Sequence, residues 1–134
     1  MRLFAPMLLL AAVHCFPAAA QDCANAGDQA TMTQCAGMEL EAADAALNAA
    51  WAELMERLAG DAEAKRALTA AQKAWIGFRD AECAFRASGG AGGSIHSMLV
   101  AQCLSELTEA RTAELEAYLA CEEGDLACPV PSAG

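Results

Sequence analysis

Large apolar residues recur at three- and four-residue steps along most of this chain, the spacing of helices laid against a core. Leu40, Leu47, Trp51, Leu54 and Leu58 form one such stripe, which predicts a helix over 32–59. Gly60 fits its stop and Asp61 the N-cap of the next helix. That second helix is expected over 62–87, with Leu68, Ala71, Trp75, Phe78 and Phe85 turned inward. Gly89, Gly90, Gly92 and Gly93 then break the pattern, and Ser94 offers an N-cap for a third helix over 95–120. No segment alternates as a strand does, and no period of about 20–50 residues marks a repeat. The fold class read from this pattern is all-α: a small three-helix bundle built around a helical hairpin.

The two ends depart from the helical pattern. Arg2, the apolar run from Met7 to Val13 and the small residues Ala18 to Ala20 have the outline of a signal peptide over 1–20. The run is shorter than the roughly 20 residues of a membrane span. Cys15 raises lipid anchoring, but His14 stands just before it, where a small residue is expected. A soluble exported product is the expectation, periplasmic or secreted, with a helical domain over 21–120 and a loop-like tail over 121–134. The tail holds Gly124, Pro129 and Pro131 and is expected to fray after Pro129.

Cleavage after Ala20 would leave 114 of the 134 residues, one domain, and would move the formal charge from −10 to −11 by removing Arg2. Such acidity argues against nucleic acid, whose phosphates require Lys and Arg. It is compatible with a basic protein partner, attracted at long range. The hydrophobic fraction of 56% is largely alanine, which favours helix but buries little area. A thin core of this kind calls for covalent support.

Cysteine supplies it. Beyond Cys15 the chain carries Cys23, Cys35, Cys83, Cys103, Cys121 and Cys128, an even number that implies disulfides in an exported protein. Zinc is disfavoured, because there is no CxxC pair and His96 is the one histidine beyond the leader. Six cysteines allow 15 pairings. Proximity favours 23–35, 83–103 and 121–128, each worth about 2–3 kcal/mol in the chain-entropy account. The geometry of a hairpin around loop 88–93 also brings Cys83 beside Cys103.

The remaining polar residues admit two readings. Arg79, Asp80 and Arg111 fall among apolar positions, where a charge must be paired. They fit an interhelical tie, with Asp44 or Gln72 as partners and Asn48 bonding across helices. The alternative is a contact site. The loop Ser88 to Ser94 lacks the Gly-Lys-Ser/Thr motif and preceding strand of a phosphate loop. It reads as a connector or a protruding finger. With the cysteines paired and no Ser–His–Asp arrangement indicated, no catalytic residues, metal or cofactor are expected.

Taken in order, these residues resemble the LprI-type lysozyme inhibitor family of small exported bacterial domains. The resemblance lies in Cys23 and Cys35; Asp44, Leu47 and Asn48 with Trp51; Leu68, Gln72, Trp75, Arg79, Asp80 and Cys83; Gly92, Gly93 and Ser94; and Cys103, Leu104, Thr108, Arg111 and Leu115. The Gln-x-x-Trp-x-x-x-Arg-Asp-x-x-Cys core is its most specific part, and Cys121 and Cys128 lie outside it. The resemblance implies an all-helical fold and, as in characterised members, a non-enzymatic protein that binds lysozyme and blocks its muramidase activity. Gly92, Gly93, Ser94, His96 and Arg86 are then the candidates for the partner contact, with a basic, lysozyme-like protein as the partner. A disulfide-stapled envelope module without lysozyme activity is the rival. A carbohydrate-binding module is a third reading, disfavoured by the scarcity of aromatic platforms.

Overall fold

The computed structural model describes residues 22–132; the expected signal peptide over 1–20, its expected cleavage point and Cys15 lie outside them. Three helices make up the molecule: α1 (Gln29–Arg57), α2 (Ala62–Arg86) and α3 (His96–Leu119), with short 3₁₀ turns at Cys23–Asn25 and Ser88–Gly90. No strand occurs among the described residues.

Side-chain caps set two of the three helix starts. Asp28 adopts extended backbone, and its carboxylate accepts from the Thr31 amide at 2.9 Å and the Thr31 hydroxyl at 2.7 Å. This cap starts α1 three residues ahead of the expected position. Asp61 caps α2 as expected, accepting from the amides of Glu63 and Ala64. The start of α3 differs from expectation. Ser94 is not the cap; Ile95 holds that position without a side-chain bond. The reason is that the glycine loop is itself wound into turns. Gly93 donates its amide to Gly90 at 3.0 Å, and the Gly93 carbonyl accepts from the His96 amide at 3.2 Å. That donor is therefore satisfied without a hydroxyl.

The dominant interface is between α1 and α3, which run parallel; α2 returns antiparallel along α3 and meets α1 through the side chains of Leu68, Trp75 and Arg79. Leu54 and Leu115, both without solvent exposure, centre the core with Leu47, Ala50 and Leu58. The inward stripe expected for α2 divides in the structure. Leu68 and Trp75 pack against the core, and Gln72 and Cys83 are buried. Phe78 and Phe85, expected inside, are 56% and 75% exposed. They lie on the adjacent strip of the helix, which neither α1 nor α3 covers.

All three favoured disulfides are present: Cys23–Cys35, Cys83–Cys103 and Cys121–Cys128. The tail does not fray after Pro129. Val130 is buried in the core cluster. Arg57 donates from Nη1 to the carbonyls of Leu119 at 3.1 Å and Pro131 at 3.4 Å. One α1 side chain thus closes the carbonyl end of α3, which has no basic residue in its own last turn, and holds the tail beside it.

Candidate functional site

The polar positions singled out in the sequence converge at mid-height of the bundle. Arg79 on α2 donates from Nη1 to the Thr108 hydroxyl at 3.1 Å and to Asp44 Oδ1 at 3.4 Å, so one guanidinium links α2 to both α3 and α1. Its Nε donates to Asp80 at 3.0 Å, and its centre stands 5.2 Å from the Trp75 ring centroid, within cation–π range. One turn further along α3, Arg111 donates from Nε to Gln72 at 3.0 Å and from Nη1 to Glu114 at 2.6 Å. Thr112 donates its hydroxyl to the Thr108 carbonyl at 2.9 Å. Among the described residues no buried side-chain nitrogen or oxygen lacks a partner. The layer is closed among its buried atoms, and both arginines are tied to partners within it. Asn48 stands outside it. The expected cross-helix bond is not formed; Asn48 is exposed and lines a shallow groove with Trp51, Lys73 and Ile76.

The glycine loop is compact, with its two ends bridged nearby by Cys83–Cys103. Gly90 is held so closely that an added Cβ would stand 3.0 Å from Leu99 Cδ1. Gly92 has φ +78°, which favours glycine. His96 Nδ1 lies 3.1 Å from the Ala87 carbonyl, a distance at which a protonated ring nitrogen donates. Arg86 donates to Glu106 at 2.8 Å. Of the five contact candidates, Arg86 and His96 therefore brace the hairpin, while Gly92, Gly93 and Ser94 form an exposed rim.

Charge is distributed unevenly over the helices. α1 carries Glu39, Glu41, Asp44, Glu53 and Glu56 against Arg57. α3 carries Glu106, Glu109, Glu114 and Glu116 against Arg111, and the tail adds Glu122, Glu123 and Asp125. α2 is the reverse: Lys65, Arg66, Lys73, Arg79 and Arg86 outnumber Glu63, Asp80 and Glu82. The acidity of the chain thus belongs to the α1–α3 side and the tail. The outward apolar strip of α2 escaped the sequence reading. Periodicity marks an apolar face but does not say whether it turns inward.

A family model described as "Lysozyme inhibitor LprI" matches residues 19–115. The chain is 41% identical over 131 residues to "Uncharacterized protein R02472" of Rhizobium meliloti (strain 1021), covering 87% of this chain and 94% of that protein. No solved structure matches the chain.

Proposed function

We propose, for a chain that belongs to the LprI lysozyme inhibitor family, that it is an exported protein that binds a lysozyme-type muramidase and inhibits it without being an enzyme. The observation that carries this reading is the family match, which spans both interhelical arginines and the first two disulfides. The disulfides themselves favour an oxidising compartment outside the cytoplasm, and no helix among the described residues is long and apolar enough to cross a membrane.

Charge directs the reading further. A basic muramidase is drawn to the acidic side built by α1, α3 and the tail, and only weakly to α2, where basic residues prevail. The loop rim of Gly92, Gly93 and Ser94 lies at the N-terminal end of α3, within reach of that side. It is the part of the surface we assign to the cleft of the enzyme, with the closed arginine layer as the scaffold beneath it. The test is a turbidity assay of bacterial cell-wall lysis with purified, oxidised protein against several lysozyme classes. Inhibition at micromolar concentration or below is expected. No inhibition of any class would leave a disulfide-stapled envelope module in its place.

A further inference from the structure

The outward strip of α2 has the form of a helix seam. Ala67, Ala71, Ala74, Phe78, Ala81 and Phe85 follow one another at alternating steps of four and three, the spacing at which one helix meets another along its length. All six are exposed, and none carries charge. At its N-terminal end the strip borders an apolar groove of about 220 Å³, lined by Leu58, Ala67, Leu68, Ala71, Tyr118 and Val130. At its C-terminal end stands Phe85, the most exposed aromatic ring of the described chain.

We propose that two copies of this chain associate through α2, antiparallel about a two-fold axis at residue 76, with Phe85 of each copy seated in the groove beside Ala67 of the other. Phe85 and Ala67 are about 27 Å apart along the helix at 1.5 Å per residue. A two-fold axis midway between them delivers both rings to both grooves at once, the self-complementarity an isologous contact requires. The same axis sets Phe78 opposite Ala74 and Ala81 opposite Ala71, so each large ring meets a small side chain. Apolar cavities of about 150 Å³ take up benzene, so the groove has room for a phenyl ring.

Charge opposes this placement only weakly. Two chains of formal charge −10 repel each other overall, but the excess lies on α1, α3 and the tail. The axis passes through α2 and so keeps the acidic sides of the two copies apart, while the weakly basic balance of that helix sets a small repulsion across the seam. A basic muramidase is drawn to the acidic side instead, so the contact is separate from the one assigned to it and does not rest on it. Four phenyl rings at about 150 Å² each, with the flanking alanines, give a total buried area on the order of 1,000 Å², the lower edge of specific interfaces. The dimer is accordingly weak and concentration-dependent.

Sedimentation equilibrium of the oxidised, leader-free chain tests this between about 10 µM and 1 mM, the range for such an interface. The weight-average mass should rise from one chain towards two. Phe85→Glu should weaken association by roughly tenfold or more, since each dimer loses two seated rings, and should leave the thermal melt unchanged. Ala74→Glu, on the seam beside the axis, should abolish the dimer while leaving the thermal melt of the single chain nearly unchanged. A single-chain mass at every concentration would overturn the proposal, as would a dimer that survives both substitutions.

Discussion

Arg79 Nη1 lies 3.1 Å from the hydroxyl of Thr108, a residue with no solvent exposure, and the same nitrogen stands 3.4 Å from Asp44. The guanidinium thus joins α2 to both other helices by hydrogen bonds. Replacing it with Ala would leave Thr108 with a buried, unpaired hydroxyl and would strip a cation from the Trp75 face. Arg79→Ala should lower stability by about 2 kcal/mol, with the half-exposed Asp44 adding little. Arg79→Lys should recover only part of it, since an ammonium lacks the fork that reaches two partners. Urea melts of the two variants read this directly. A lost muramidase interaction with an unchanged melt would instead make Arg79 a contact residue.

Reduction should act unequally on the three disulfides. Cys83 and Cys103 are buried at 1% and 4% exposure, whereas Cys23 is exposed. A mild reductant should therefore open 23–35 first and 83–103 later, as followed by thiol alkylation and peptide mapping. The double change Cys83→Ala and Cys103→Ala should cost about 3 kcal/mol, the chain-entropy value for a loop of this length.

Asp28 should make the start of α1 sensitive to acid. The Thr31 hydroxyl and amide that donate to its carboxylate hold its pKa below the ordinary value. A carboxylate depressed in the folded state contributes stability that is complete above the unfolded value of about 3.9 and is lost as pH falls through the folded value. The first turn of α1 should fray in that acid window, seen as faster amide exchange at Thr31 and Met32 by NMR. Asp28→Asn should largely remove the pH dependence while keeping most of the cap.

If acidity steers a basic muramidase to the α1–α3 side, association should slow as salt rises from about 0.05 to 0.5 M, where the Debye length shrinks from roughly 14 to 4 Å. Glu39→Gln with Glu41→Gln, both exposed on α1, should reduce the on-rate severalfold at low salt and leave the off-rate nearly unchanged. Stopped-flow binding separates the two rates. An on-rate indifferent to both salt and substitution would remove charge steering from the account.

Much of the fold was legible in the residues, because the signals were local. The Leu40-to-Leu58 stripe, the Asp61 cap and the loop glycines each act within one or two helical turns, and the helix ends fell within three residues of expectation. The cysteine pairs were legible because each closes a short loop. The interhelical role of Arg79 was legible because a charge in an apolar stripe must find a partner. What was not legible depended on how the helices are arranged. Phe78 and Phe85 share a period with Trp75, and only the rotation of α2 against the other two helices decides that Trp75 faces in and the two Phe face out. Ser94 has the chemistry of a cap, yet the turns before it had already satisfied the amide it would have served. Val130 follows two residues after Cys128, and nothing in Pro-Val-Pro announces that its middle residue enters the core.

The parallel pairing of α1 with α3 also governs how this molecule comes into being. Its central contacts join residues about sixty positions apart, as when Arg57 reaches Leu119, while the local hairpin of α2 and α3 encloses little apolar surface. Helical proteins usually fold fast because their contacts are near in sequence; here the core cannot close until α3 is available. A chain emerging from an export channel would thus hold α1 exposed until its last quarter has crossed. The Cys23–Cys35 link, made entirely within the first segment to emerge, is the one staple that can form before then.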